Sequence, residues 1–150
     1  MEPAAVRHER MFMDGEWVDG SGNETMDVVN PASEDIIATV PRGTREDARA
    51  ALDSARQIQP GWAELPPLQR AKYMTKIAQL IRENREKLAS ILTSEQGKPL
   101  FESRLEVDGS AAHFEYFAEF ARRIEGDVLP SDNPKPVSYT HLTLPTILLV

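Results

Sequence analysis

Prolines and glycines divide the N-terminal part of the chain into short segments, and this division limits the fold more than any other sequence feature. Pro31, Pro41 and Gly43 interrupt the sequence so often that no long helix fits before them. The apolar runs at residues 28–29 and 36–40 are rich in β-branched side chains and lie on either side of the first of these prolines. The N-terminal part is therefore predicted to form short β-strands.

Two further turns fall in this β-rich part. Asp14 and Gly15 lie between Phe12 and Trp17, and an Asp-Gly pair between large apolar residues predicts a tight hairpin. Residues 20–22 are Gly-Ser-Gly, a spacing that also occurs in phosphate-binding loops. Such a loop needs a helix directly after it, and no helix start follows here. We therefore predict a turn between strands.

The first predicted helix begins after Thr44. Asp47 stands three residues later, where an acidic side chain can complete a capping box with the N-cap residue. Leu52 and the alanines around it are expected to form the buried stripe of this helix. Pro60 and Gly61 are expected to end it, because proline lacks the backbone donor and glycine favours non-helical backbone.

Two more helical segments follow. One continues to Gly97, with a break near Asn84, and the other covers residues 100–124 and is closed by Gly126. The apolar face of this last helix is wide and rich in aromatic side chains. Because two preceding helices cannot cover it, a further layer, predicted to be a sheet, covers it in the complete protein. The predicted fold class is α/β, with β-hairpins followed by a mainly helical segment.

The charge balance and amino-acid content exclude several classes of function. With 17 Lys and Arg against 24 Asp and Glu, the formal net charge is −7, which argues against a nucleic acid partner. The sequence contains no cysteine. These residues therefore hold no disulfide, no thiolate metal ligand and no cysteine nucleophile.

Targeting and membrane features are missing from the sequence pattern. Residues 1–10 lack the apolar core of a signal peptide and are interpreted as a flexible N-terminal tail. The longest apolar run, at residues 147–150, is far too short to cross a bilayer. No membrane partner is expected, and the expected location is cytoplasmic.

Candidate metal and phosphate ligands are scattered along the chain. His8, His113 and His141 lie on different predicted elements, so we predict no shared metal site from them. Lys98 follows a helix, whereas a phosphate-binding lysine normally follows a strand and several glycines. We interpret Lys98 as part of a helix C-terminus.

Three carboxylates lie close together in the last helical segment: Glu102, Glu106 and Asp108. Glu102 and Glu106 are four residues apart, so they share a helix face and could act as acid and base if they were buried. Isolated helical carboxylates usually face water, and we interpret this pair as part of a solvated face. No complete catalytic motif occurs in the sequence.

Several motifs nevertheless occur together in a specific order. The segments are "DGEWVDG", "VVNPASEDIIATVP", "EDARAALDSAR", "SEQGKPL" and "EYFAEFARRIEGDVLPSD". Over residues 12–134 they resemble the opening segment of the NAD(P)-dependent aldehyde dehydrogenase superfamily. Within that superfamily the chain is most similar in appearance to the lactaldehyde and glycolaldehyde branch, and next to the succinate-semialdehyde branch.

The resemblance implies a Rossmann-like fold, of which residues 11–136 form the N-terminal, incomplete portion of the cofactor-binding domain. It implies oxidation of a small aldehyde to a carboxylic acid with NAD or NADP as cofactor, in an intact protein that is a homo-oligomer. In this family the catalytic cysteine, glutamate and asparagine and the cofactor-binding residues lie further along the chain. No catalytic or cofactor-binding residue is therefore assigned here, and the chain alone is expected to be inactive.

The resemblance also implies one minor site. Many members of the family hold a structural Na⁺ or K⁺ ion at positions that match Val28, Val29 and Asp108. Backbone carbonyls and one carboxylate suit such a hard cation. The alternative is that Asp108 only caps or pairs locally.

Residues 137–150, "VSYTHLTLPTILLV", contain no Asp, Glu, Lys or Arg. They resemble a translated sequencing adapter and stand where the family pattern stops, so we interpret them as a non-native tail. The alternative is a genuine β-strand, because threonine and tyrosine are common in strands.

A second function hypothesis treats the whole chain as a genuine short protein. In that case it would be a non-catalytic helical interaction module that uses its phenylalanine-rich face.

Overall fold

A computed structural model of the chain describes residues 6–124, 128–129 and 138–139. The strands are β1 Arg7–His8, β2 Met11–Met13, β3 Glu16–Val18, β4 Thr25–Val29, β5 Ile36–Pro41, β6 Val128–Leu129 and β7 Ser138–Tyr139. The helices are α1 Arg45–Glu64, α2 Pro67–Glu83, α3 Arg85–Gln96 and α4 Leu100–Glu119, and a 3₁₀ turn follows at Phe120–Arg122. The predicted α/β organisation, with hairpins before a mainly helical segment, is confirmed.

Strands β2 and β3 form the predicted tight hairpin. Asp14 and Gly15 have φ values of 53° and 81°, the positive angles that a primed two-residue turn requires. Phe12 and Trp17 lie opposite each other in the antiparallel register, with ring centroids 5.2 Å apart. The Ser54 hydroxyl of α1 donates to Asp14 Oδ1 over 2.8 Å and ties the turn to that helix.

Strands β4 and β5 pair antiparallel around the predicted Asn30-Pro31 turn. The Asn30 N–H donates to the Asp35 carbonyl over 2.9 Å, and the Ala32 N–H donates to Asn30 Oδ1 over 2.9 Å. Asn30 therefore supplies both a backbone and a side-chain hydrogen bond to the turn. Glu34 completes the reversal with a φ of 61°.

At Arg7 and His8 the structure differs from the predicted flexible tail. These residues form β1, which pairs in parallel with β5 opposite Ala38 and Thr39. The Glu9 N–H adds a hydrogen bond of 2.9 Å to the Thr39 carbonyl. The difference arises because β5 offers an unpaired edge whose backbone groups need partners, and sequence composition alone does not show such an edge.

Helix α1 runs through Pro60 and ends at Glu64, so the prediction that Pro60 and Gly61 stop it is wrong. Proline removes only one backbone donor, and a contact beyond it holds the last turn in place. The Trp62 ring lies 5.5 Å from the Tyr73 ring of α2. This ring contact across the α1–α2 junction favours continuation of the helix.

The buried core lies among the helices and under β5, and its side chains are small. Its apolar members are Ala38, Ala78, Ala89, Val107 and Ala111. Leu52, predicted to be in the buried stripe of α1, is 55% exposed, so that prediction is wrong. Among the described residues no element covers that side of α1, and its one buried residue is Asp47.

Helices α2 and α3 are separated at Asn84, which confirms the predicted break. Helix α4 lies against both of them with Ser103, Val107 and Ala111 buried. It ends at Glu119, earlier than the predicted residue 124, and the 3₁₀ turn takes its place. Gly126, predicted to close the helix, lies outside the described residues.

Strands β6 and β7 pair antiparallel, with Val128 opposite Tyr139. Ser138 and Tyr139 belong to the segment 137–150, and the rest of that segment lies outside the described residues. The interpretation of residues 137–150 as a non-native tail stays a prediction.

Gly97 joins the β-rich part to the helical part. It ends α3 in the left-handed conformation, with φ of 73°, and its N–H donates to the Thr93 carbonyl over 2.8 Å. A Cβ atom added at this position would lie 2.7 Å from Pro31 Cγ. Two separate sequence motifs, the Asn-Pro turn and the Gly-Lys-Pro turn, therefore meet in one contact.

We expect Gly97→Ala to lower the free energy of unfolding by about 2 kcal/mol, because alanine is strained at positive φ and its Cβ meets Pro31. Urea unfolding followed by circular dichroism measures the change. Gly61→Ala is the matched control, since Gly61 lies in α1 with no atom within 4 Å of an added Cβ. The control should be neutral or stabilising by up to about 1 kcal/mol. Equal effects of the two substitutions would contradict the prediction.

Candidate functional site

The Asp47 carboxylate connects the start of α1 to the Gly-Ser-Gly turn. Asp47 is only 7% exposed. Its Oδ1 accepts from the Ser21 N–H over 2.8 Å, and its Oδ2 accepts from the Thr44 N–H over 2.7 Å and from the Thr44 hydroxyl over 2.9 Å. The Asp47 N–H in turn donates to Thr44 Oγ1 over 3.2 Å, so the predicted capping box is formed.

The Gly-Ser-Gly turn is placed at a helix N-terminus after all, although that helix comes much later in the sequence. The position where a bound anion would accept backbone donors is taken by the Asp47 carboxylate. Gly20 has φ of 86°, and a Cβ there would lie 2.6 Å from the Met11 methyl group and 3.2 Å from Asp47 Oδ2. The cluster therefore holds the turn to the helix and leaves no room for a phosphate.

Hydrogen bonding controls the pKa of Asp47. The Thr44 N–H, followed by the Thr44 hydroxyl and the Ser21 N–H, lowers the pKa of the Asp47 carboxyl below its ordinary value, while burial opposes this shift. The ionised form is thus the form that the folded chain stabilises.

A second polar cluster joins α3 to α4. Arg85 Nε donates to both oxygens of Asp108 over 2.9 and 3.0 Å, and Arg85 Nη2 donates to Oδ2 over 2.9 Å. Arg104 Nη2 and Arg85 Nη1 bind the two oxygens of Glu86 over 2.7 and 2.6 Å. Hydrogen bonds from Arg85 lower the pKa of Asp108, and hydrogen bonds from Arg104 and then Arg85 lower that of Glu86.

A third pair joins α2 to α4. Arg82 Nε and Nη2 donate to the two oxygens of Glu115 over 3.0 and 2.7 Å. The geometry is bidentate, which fixes the relative orientation of the two helices. Hydrogen bonds from Arg82 lower the pKa of Glu115.

The predicted carboxylate pair on α4 is not brought together as an acid–base site. Glu106 is bound by Lys98, whose ammonium group lies against Oε2. Glu102 is exposed, and in the part of the chain that the structure describes its carboxylate has no hydrogen-bonding partner. Lys98 thus neutralises a carboxylate of α4 next to the C-terminus of α3.

The histidines lie on separate elements. His8 Nε2 donates to Asp19 Oδ1 over 3.0 Å, and His8 Nδ1 forms a hydrogen bond of 3.0 Å with the Thr39 hydroxyl. His113 Nδ1 lies 2.8 Å from the Gly109 carbonyl oxygen. His141 lies outside the described residues. Across residues 6–124, 128–129 and 138–139, no group of three or more His, Cys, Asp or Glu side chains could hold a metal ion.

The predicted cation site joins Val28 and Val29, at the irregular end of β4, with Asp108 on α4. Both carboxylate oxygens of Asp108 accept hydrogen bonds from Arg85. A guanidinium and a monovalent cation would compete for these oxygens, so the observed pairing corresponds to the alternative of local pairing. The cation site stays a prediction.

No helix in the described ranges has the length and apolar character that crossing a membrane requires.

Comparisons with known proteins identify the family. A sequence profile described as the aldehyde dehydrogenase family matches residues 17–145. The chain is 41% identical over 129 residues to the lactaldehyde dehydrogenase of Escherichia coli strain K12, covering 86% of this chain and 27% of that protein. It is 39% identical over 128 residues to the 3,6-anhydro-alpha-L-galactose dehydrogenase of Vibrio sp. strain EJY3, covering 85% and 27%.

Solved structures agree with these matches. The crystal structure of lactaldehyde dehydrogenase from Escherichia coli superposes with a TM-score of 0.84 at 39% identity, covering 87% of this chain and 27% of that one. A structure of 3,6-anhydro-L-galactose dehydrogenase in complex with NAP gives a TM-score of 0.84 at 37% identity, covering 87% and 28%.

The chain therefore belongs to the aldehyde dehydrogenase family, and the resemblance found in the sequence is confirmed. It has the N-terminal portion of the Rossmann-like fold of these enzymes. The chain spans about a quarter of the length of the relatives that it matches, 27% in the case of lactaldehyde dehydrogenase.

Acid should weaken the folded chain through Asp47. Because the folded-state pKa of Asp47 is lowered, its contribution to stability is fully present above the unfolded-state pKa of about 4 and is lost as pH falls through the folded-state value. We expect Asp47→Asn to reduce the fall in melting temperature between neutral pH and about pH 3.

Thermal melts across this pH range, followed by circular dichroism, measure the effect. Asp53→Asn is the control, because Asp53 lies exposed on the same helix and its carboxylate has no hydrogen-bonding partner in the described part of the chain. An identical pH dependence for Asp47→Asn and Asp53→Asn would show that Asp47 does not link folding to protonation.

Proposed function

We propose that this chain is the N-terminal segment of an NAD(P)-dependent aldehyde dehydrogenase that oxidises small aldehydes to carboxylic acids. The observation that carries the proposal is the family match together with its extent, which covers 86% of this chain but only 27% of lactaldehyde dehydrogenase. The similarity to that relative favours small hydroxylated aldehydes as substrates. The bound nicotinamide would supply the hydride acceptor.

The segment contributes structure to this activity. Residues 11–136 would form the first part of the cofactor-binding domain, in an intact homo-oligomer. The contact of Pro31 with Gly97 and the Asp47 cluster hold its turns and helices in one arrangement. The sequence has no cysteine, so a thiolate nucleophile for the aldehyde carbonyl must come from another part of the intact enzyme.

The alternative function, a non-catalytic helical interaction module, is not favoured by any specific observation. Its motivation was the exposed phenylalanine-rich face, and a segment of a larger enzyme has such a face for the same physical reason.

The purified chain should not reduce NAD⁺ or NADP⁺ with lactaldehyde, glycolaldehyde or succinate semialdehyde. A chimera tests whether the segment supports activity in a complete enzyme. In it, residues 6–129 of this chain replace the corresponding N-terminal quarter of Escherichia coli lactaldehyde dehydrogenase. We expect the chimera to oxidise lactaldehyde, measured by the absorbance of the reduced nicotinamide. Aldehyde oxidation by the isolated chain, or a folded but inactive chimera, would contradict the proposal.

We also propose the structural Na⁺ or K⁺ site at Val28, Val29 and Asp108 for the intact enzyme. The chimera should then melt at a higher temperature in sodium or potassium chloride than in choline chloride at equal ionic strength, because only the small cations fit oxygen ligands. Asp108→Asn should remove the difference, whereas Glu102→Gln, an exposed carboxylate on the same helix, should keep it. Equal melting temperatures in the three salts would rule the site out.

A further inference from the structure

The Met11 side chain lies in a slot that two glycines leave open. Met11 belongs to β2 and is half-buried. A Cβ atom added at Gly20 would lie 2.6 Å from the Met11 methyl carbon, and one added at Gly43 would lie 3.4 Å from Met11 Sδ. Gly20 follows β3, and Gly43 precedes α1. The thioether therefore fills the space between the β2–β3 hairpin and the start of α1, where these two positions carry no side chain.

The Asp47 carboxylate borders the same slot. The Cβ atom added at Gly20 would also lie 3.2 Å from Asp47 Oδ2. This oxygen already accepts hydrogen bonds from the Thr44 N–H and the Thr44 hydroxyl. An ionised carboxylate has no proton to donate. This side of the slot therefore accommodates an uncharged thioether but offers no donor to a new hydrogen-bond acceptor.

The position of Met11 is coupled to the Asp47 cluster through the backbone after Gly20. The next residue, Ser21, donates its N–H to Asp47 Oδ1 over 2.8 Å. The hairpin also contacts α1 through the Ser54–Asp14 hydrogen bond, which is exposed to solvent and contributes little. Displacement of the Met11 side chain from Gly20 is therefore expected to weaken the hydrogen bond between Ser21 and Asp47.

Hydrogen peroxide converts a methionine thioether into a sulfoxide. A lone pair of the sulfur attacks one peroxide oxygen, the O–O bond breaks, and the departing oxygen takes up the remaining proton and leaves as water. The sulfur loses an electron pair to the peroxide and gains a polar S=O bond, so an apolar side chain becomes a hydrogen-bond acceptor. Met11 is half-buried rather than fully enclosed, which gives so small an oxidant access to it.

We propose that Met11 is a reversible oxidation site whose sulfoxide separates the β2–β3 hairpin from the start of α1. In the slot the sulfoxide oxygen meets the Gly20 backbone and the Asp47 carboxylate without a donor, whereas in water it is hydrated. The oxidised side chain therefore leaves the slot. Methionine sulfoxide reductases remove the added oxygen, so reduction restores the contact. This site is independent of the proposed enzymatic function.

Peroxide treatment of the purified chain tests the proposal. Oxidation should lower the melting temperature by about 5 °C, as expected for loss of one packed contact, and reductase treatment should restore it. Met11→Leu should remove most of this fall, because leucine has a similar volume and is not oxidised. Met26→Leu is the matched control, since Met26 is 49% exposed on β4, and this variant should show the same fall as the parent.

A second measurement needs no oxidant. Met11→Gln places a polar side chain in the slot and should lower the melting temperature as oxidation does, whereas Met26→Gln should be nearly neutral. Amide hydrogen exchange gives a local readout, because the Ser21 N–H should exchange at least about tenfold faster in the oxidised chain and in Met11→Gln. Peptide mass spectrometry identifies which methionines carry oxygen.

Several outcomes would overturn the inference. One is an equal loss of stability in oxidised Met11→Leu and the oxidised parent, and another is equal stability of Met11→Gln and Met26→Gln. A third is unchanged Ser21 exchange in a chain whose Met11 is oxidised. Met11 that stays reduced under peroxide that fully oxidises Met26 would show that the slot excludes the oxidant. If Met11→Leu does not fold, Ser21 exchange in the parent before oxidation, after oxidation and after reductase treatment decides.

Discussion

The three central helices can approach one another only because small side chains stand where they meet. Ala78 of α2, Ala89 of α3, and Ser103 and Ala111 of α4 are almost fully buried, and no large side chain is fully buried in the described residues. The Ser103 and Thr93 hydroxyl groups form a hydrogen bond of 2.9 Å with each other inside this contact. Close approach brings many atoms into van der Waals contact, but it buries little apolar area per residue.

Polar pairs at the edges of the helices complement this thin core. Arg85 with Asp108 and Arg82 with Glu115 each join α4 to a different neighbour through bidentate geometry. Partly exposed pairs of this kind contribute more to orientation than to stability. Several large apolar side chains of α4 are exposed, and Leu105 is 65% exposed. The segment is therefore organised around a helix that packs against its neighbours mainly through small side chains and leaves large apolar side chains exposed elsewhere on its surface.

Local sequence signals predicted the parts of the fold that depend on near neighbours. The Asp14-Gly15 hairpin, the Asn30-Pro31 turn, the Thr44 cap and the break at Asn84 each follow from a few adjacent residues. The errors arose where a distant contact decides. Pro60 stays helical beside the Trp62–Tyr73 contact, Leu52 is exposed because nothing described covers it, and β1 forms because β5 has a free edge.

The candidate site shows the same difference between contacts that local sequence predicts and contacts that only the fold creates. The capping box was visible from spacing, but the link from Asp47 to Ser21 joins residues 26 apart and leaves no periodic signal. A Gly-Ser-Gly turn earlier in the chain and an acidic N3 residue were the available clues, and only the fold connects them. Arg85, the partner of Asp108, lies 23 residues away in the sequence, so the sequence pattern does not predict this pair either.

The contact of Pro31 with Gly97 has a consequence for synthesis on the ribosome. The Asn-Pro turn leaves the exit tunnel long before the end of α3 does, so during that interval the nascent β-rich part lacks the surface against which its proline packs. Its strands are short and form only one three-stranded and one two-stranded sheet, which makes them poor candidates for independent stability. Emergence of the α3–α4 junction is thus the earliest moment at which the two parts can fold as a unit, and a pause in translation before it would prolong the exposure of an unfinished sheet.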